Sequence, residues 1–134
     1  MRSQAGGLSA GSLNAEQSAV VEADDPHALV AVMYDELLRS MRIFCENIEK
    51  KQETLELRYK HFSRSLAVIY ALEKSLDFER GGEIAANLFR LYEYAREKLI
   101  EASKTEDPIQ VIASIKSLED IREAWRSTSK LVDK

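Results

Sequence analysis

The side chains best suited to chemistry are few: two histidines, His27 and His61, one cysteine, Cys45, and the acids Asp77, Glu79 and Glu83 around the pair Gly81-Gly82. Each suggests a reaction and lacks the companions that reaction needs. Carboxylate metal sites in helical bundles use paired Glu-x-x-His motifs pointing inward. Here the residues three before the histidines are Asp24 and the cationic Arg58, so no ligand set forms and no metal is expected. Cys45 would need a neighbouring base or cation to become a nucleophile. It lies between Phe44 and Glu46, and reads as a small half-buried residue. The acids match no calcium-loop spacing, and Gly81-Gly82 lacks the further glycines and the preceding strand of a phosphate-cradling loop. No catalytic residue and no cofactor is expected, so the chain does not read as an enzyme.

The bulk properties narrow the partners. A chain of 134 residues holds one domain. Its net charge of -4 would repel a phosphate backbone, which argues against nucleic acid. A lone cysteine fits a reducing compartment. The longest apolar run, Ala28 to Tyr34, has seven residues, far short of the ~20 needed to span a bilayer, and no secretory signal core is visible. Membrane insertion is not expected, and a cytoplasmic location is.

The elements that must position any site are helical. Residues 1–24 hold Gly6, Gly7, Gly11 and four serines without an aromatic, and read as a flexible N-terminal tail. Residues 25–130 read as the folded domain. Asp25-Pro26 and Asp107-Pro108 have the form of helix starts, an acceptor side chain followed by a proline that needs no donor. Apolar steps of three or four predict a first helix through Val30, Met33, Leu37, Met41, Phe44 and Ile48. A second runs through Leu55, Tyr59, Phe62, Leu66, Ile69, Leu72 and Leu76, with the turn before it placed in the polar run Lys50 to Thr54. Gly81-Gly82 breaks the pattern, so the second helix is expected to end before it and a third to follow, through Ile84, Leu88, Leu91, Ala95, Leu99 and Ala102. Val111, Ile115, Leu118 and Trp125 mark a fourth, ending near Ser127. Short connections make the expected fold all-α, an antiparallel up-and-down four-helix bundle.

Apolar residues remain after these core stripes are assigned: Val32, Ile43, Leu57, Val68, Leu72, Phe89, Ile100 and Ile112 lie at stripe edges or on opposite faces. Such a surplus suits grooves that take an amphipathic partner, and it suits a homodimer seam equally well.

The segment Lys74 to Tyr94 decides between them by resemblance. Leu76, Asp77, Glu79, Gly81-Gly82-Glu83-Ile84, Asn87-Leu88, Leu91-Tyr92 and Tyr94 resemble the signature of the flagellin-specific export chaperones, the FliS family. Asp25-Pro26-His27 with Leu29, then Met33-Tyr34-Asp35, resemble that family's first long helix, and Trp125 its late tryptophan. The similarity runs from Asp25 to about Ser127. It implies a cytoplasmic chaperone that binds the C-terminal segment of flagellin, blocks premature polymerisation and delivers the client to the flagellar type III export apparatus. The expected client-binding residues are Leu57, Val68, Leu72, Phe89, Tyr92 and Ile100. No aromatic precedes Tyr34, whereas family members commonly carry one in the N-terminal segment, so residues 1–24 are not expected to cover the client groove. The alternative is a helical-bundle dimerisation or adaptor protein without an export client.

Overall fold

The computed structural model describes residues 25–132, so the expected tail, residues 1–24, lies outside the described residues. Four helices follow in order: α1 Pro26–Glu46, α2 Leu55–Lys74, α3 Phe78–Thr105 and α4 Ile109–Val132, with one 3-10 turn at Gln52–Thr54 ahead of α2. There is no strand among the described residues. Helix α1 packs on α2 and α4, and α3 does the same, which leaves α1 and α3 facing across a diagonal. Antiparallel order is visible in the cross-pairs. Asp35 meets Arg122 while Arg42 meets Glu119 between α1 and α4. Ser40 meets His61 while Glu36 meets Arg64 between α1 and α2. The fold is the expected all-α bundle.

Both Asp-Pro helix starts form as the sequence suggests. The Asp25 carboxylate accepts from the His27 and Ala28 backbone N–H groups at 3.1 and 3.3 Å, and Asp107 accepts from the Ile109 N–H at 3.1 Å. Helix α1 ends at Glu46, where the Asn47 side-chain amide donates to the Ile43 carbonyl at 2.8 Å. Helix α4 continues to Val132, beyond the stop expected near Ser127.

Two expectations need correction. Helix α2 ends at Lys74, ahead of the glycine pair as expected, but the third helix starts before that pair and not after it, because Asp77 caps it by accepting from the Glu79 and Arg80 N–H groups at 3.1 Å each. The glycines fall inside α3, where Gly82 (φ 49°, ψ −122°) makes a kink after the first turn. The second correction concerns the first half of α2, where the most buried positions each lie one residue before the apolar stripe, while Ile69 and Leu72 of the stripe are buried as expected. Arg58, His61, Ser65, Ile69 and Leu72 are buried, while Tyr59 is 57% exposed. A stripe drawn from apolar residues alone cannot find a face that seals polar groups by giving each a partner. The Arg58 guanidinium donates to the carbonyls of Ile48 at 3.1 Å and Ser103 at 2.8 Å and lies 5.5 Å from the Phe44 ring centre. Ser40 donates to Glu36 at 3.5 Å, so the 3.2 Å contact between His61 Nδ1 and the Ser40 oxygen makes Nδ1 the donor. The Ser65 hydroxyl donates to the His61 carbonyl at 2.8 Å.

The apolar core fills the space between these faces with Leu37, Met41 and Phe44 of α1, Ile69 and Leu72 of α2, Leu99 of α3, and Val111 and Leu118 of α4. Arg122 grips Asp35 through two hydrogen bonds of 2.8 and 3.3 Å, fixing α4 on α1. No helix among the described residues is long and apolar enough to cross a membrane.

Candidate binding groove

At one end of the bundle α1, the α2–α3 turn, α3 and α4 together line an apolar groove of about 310 Å³. Its walls come from every helix region nearby: Val30 and Tyr34 of α1, Leu76 of the turn, Ile84, Ala85 and Leu88 of α3, and Ile121 and Trp125 of α4. Asp77 and Arg80, 3.7 Å apart, form a charged margin.

The kink in α3 gives the groove its shape. Gly82 takes a positive φ that side chains disfavour. Gly81 has a different requirement: a Cβ there would stand 2.9 Å from the Ala85 Cβ, so only glycine lets the first turn of α3 lie so close to the next. Past the kink Ile84 is 71% exposed, at the groove's edge instead of in the core where the stripe placed it.

The floor is polar at one point. Tyr34 and Tyr92 reach across the α1–α3 diagonal, their hydroxyls 2.6 Å apart and their rings edge to face. Burial pushes both phenols up, Tyr34 far beyond the usual range, and the proximity of Tyr92 and the hydrogen bond between them raise Tyr34 further. Neither ionises in the working range, so the pair offers neutral hydroxyls beneath an apolar wall.

Trp125, expected in the core of the fourth helix, is half-buried at the rim. Its indole stacks on the His27 ring (centroids 4.1 Å, 11° between planes) and donates to the His27 carbonyl at 3.0 Å. The same two side chains border a second hollow of about 350 Å³, which Arg122 and Arg126 also line.

Of the expected client-binding residues, Tyr92 alone lines the groove, and it does so from beneath at 2% exposure. Leu72 is 1% exposed in the core, and Val68 packs against that core half-buried. Leu57 is exposed near the start of α2, roughly 27 Å along the helix from its groove end at 1.5 Å per residue. Phe89 is exposed beside Phe78, with the rings edge to face at 6.1 Å, and Ile100 is half-buried further along α3. The structure does not gather these six into one patch.

The signature residues divide differently. Leu76, Asp77, Gly81, Ile84 and Leu88 line the groove. Leu91 packs against the core, Gly82, Glu83 and Asn87 face solvent, and the Tyr94 hydroxyl donates to Gln110 at 2.8 Å. Sequence reasoning missed Ala85 and Ile121 as groove residues, and placed Val30 and Trp125 in the core.

Cys45 is half-buried, and burial followed by the Glu46 charge pushes its thiol up to about 11, opposite to an activated nucleophile. No group of three His, Cys, Asp or Glu side chains able to hold a metal ion occurs among the described residues.

An all-helical bundle with an apolar groove at one end, and no cluster of side chains able to hold a metal ion among the described residues, defines a binding protein of the helical-bundle class. The family model described as flagellar protein FliS matches residues 9–132. The chain is 34% identical over 132 residues to the flagellar secretion chaperone FliS of Salmonella typhimurium, covering 93% of this chain and 91% of that protein. It is 30% identical to the chaperone of the same name from Campylobacter jejuni (77% of this chain, 79% of the relative), and 26% identical to that from Vibrio cholerae (86% of each). The chain belongs to the FliS family.

Proposed function

We propose that this protein is a flagellar secretion chaperone that holds the C-terminal segment of flagellin in the cytoplasm, prevents its premature polymerisation and hands it to the export apparatus. The observation that carries the reading is the coincidence of signature and groove: residues of the Lys74–Tyr94 segment form the walls of an apolar cleft in a chain of this family. A disordered client that becomes ordered on binding spends ~2–5 kcal/mol of its gross interaction energy on that ordering. Apolar side chains at helical spacing, seated in such a cleft, offset the cost. In this reading Ile84 and Leu88 hold one face of a client helix and Trp125 the other, while Phe89 extends the contact outside the groove.

The test is a pull-down with flagellin and with flagellin lacking its C-terminal segment, repeated with Ile84→Asp and Phe89→Asp. Both sites face water in the free protein, so both variants should keep wild-type circular dichroism and melting. Ile84→Asp places an unpaired charge in a contact that must be desolvated, and should weaken binding at least ~10-fold, or 1.4 kcal/mol. Capture of the truncated flagellin as strongly as the whole protein would refute the client assignment. Loss of binding with Phe89→Asp alone would move the site out of the groove. Self-association without flagellin binding would favour a dimerising adaptor.

A further inference from the structure

We propose that Glu73 and Glu93 share one proton across the α2–α3 seam, and that this proton fastens the wall of the groove. Glu73 lies near the end of α2, two residues before Ser75, which lines the groove. Its Oε2 is sealed from solvent with no donor to satisfy it, and a buried polar atom left so is costly. The neighbouring carboxyl that acts on Glu73 by hydrogen bond and by charge is that of Glu93, and two carboxylates cannot satisfy one another without a proton.

The surroundings decide where the proton sits. Arg96 donates to Glu93 through Nη2 at 2.8 Å and through Nε at 3.3 Å to each oxygen. That bond, followed by the contact with Glu73, holds the Glu93 carboxyl below its usual range. Glu93 is therefore the anion and Glu73 the acid that donates to it, a charge-assisted bond between α2 and α3. The groups facing Glu73 from α3 are Glu93, Arg96 and Tyr92. Helix α1 contributes Tyr34, which reaches the cluster through the Tyr92 hydroxyl. Burial first, then the bond and charge of Glu93, raise the Glu73 carboxyl to about 7, while Arg96 opposes them.

The sign follows from linkage. A carboxyl raised in the folded state keeps its proton there after the unfolded chain has released its own. The stabilisation is complete below about 4.5, the ordinary value, and is lost as pH rises through about 7. Above that, two carboxylates face each other beside Tyr92, and the seam under the groove weakens. This device does not depend on the identity of the client.

The test uses the full chain and needs no ligand. Side-chain carboxyl carbon resonances of the glutamates are followed by NMR from acid to alkaline pH, and melting temperature is recorded over the same range. The Glu73 midpoint should lie near 7, and should fall toward the ordinary range in Glu93→Gln, whose neutral amide donates to Glu73 and removes the repulsion. In Glu73→Gln an amide N–H replaces the shared proton permanently. The melting temperature of wild type should therefore drop by several degrees relative to this variant between roughly pH 5 and 8. A wild-type Glu73 midpoint below about 5, or a melting difference that does not change with pH, overturns the proposal. If Glu93→Gln does not fold, the wild-type midpoint and the Glu73→Gln comparison decide it.

Discussion

Exchanging the two kink glycines for alanine should destabilise the bundle by different mechanisms, and one added substitution separates them. At Gly82 nothing lies within 4 Å of an added Cβ, so the cost is carried by the backbone at φ 49°. Strain of that kind is ~1–3 kcal/mol, offset by the ~0.4–1 kcal/mol that alanine removes from unfolded-chain entropy, for a net loss of roughly 0.5–2.5 kcal/mol. At Gly81 φ is not positive, and the obstacle is the Ala85 Cβ at 2.9 Å. Overpacking of this sort costs ~1–3 kcal/mol, less the ~1 kcal/mol by which alanine outranks glycine in a helix. Ala85→Gly removes the obstacle for Gly81→Ala and does nothing for Gly82→Ala. Urea denaturation of the single and paired variants should show coupling of Ala85→Gly with Gly81→Ala and additivity with Gly82→Ala. A Gly82→Ala variant as stable as wild type, or equal coupling in both pairs, would refute this account of the kink.

Two further expectations rest on the buried polar face of α2. Arg58→Ala leaves the Ile48 and Ser103 carbonyls without their donor and should cost ~3 kcal/mol or more by urea denaturation, at ~1–3 kcal/mol per orphaned group. Arg58→Lys, which keeps one donor but loses the fork, should cost less. Burial first, then the charges of Arg39, Lys60 and Arg64, lower the His61 imidazole below its usual 6.5. Its neutral form therefore stabilises the fold above about 6.5, and that contribution is lost as pH falls through the lowered value. The melting advantage of wild type over His61→Gln should shrink between about pH 7 and pH 5.

The sequence discloses the helices because their apolar residues repeat with the helical period, and because Asp25-Pro26 and Asp107-Pro108 carry their caps in plain view. It conceals the buried face of the first half of α2, since Arg58 and His61 lie outside the apolar stripe and their partners, the Ile48 and Ser103 carbonyls and Ser40, come from other elements. The start of α3 was hidden for a related reason. Asp77 looks like one acid in a cluster, and the glycine pair draws attention to itself, yet the aspartate caps and the glycines bend. The groove was half legible: the signature segment pointed at the correct turn, while surplus apolar residues pointed to Leu72, Val68 and Leu57, which packing scatters between core and distant surface. Helical angle states which face a residue is on, and not which neighbour covers that face.

Trp125 is the chain's only tryptophan, and it stands at the groove's rim with its ring against an imidazole. The protein thus carries its own optical gauge. Near-ultraviolet excitation at the indole edge reports from this place and no other, without any dye. A chain seated in the groove replaces water around the exposed edge of the ring and shifts its emission to the blue. The wavelength of that emission therefore reads occupancy of the groove at a single residue.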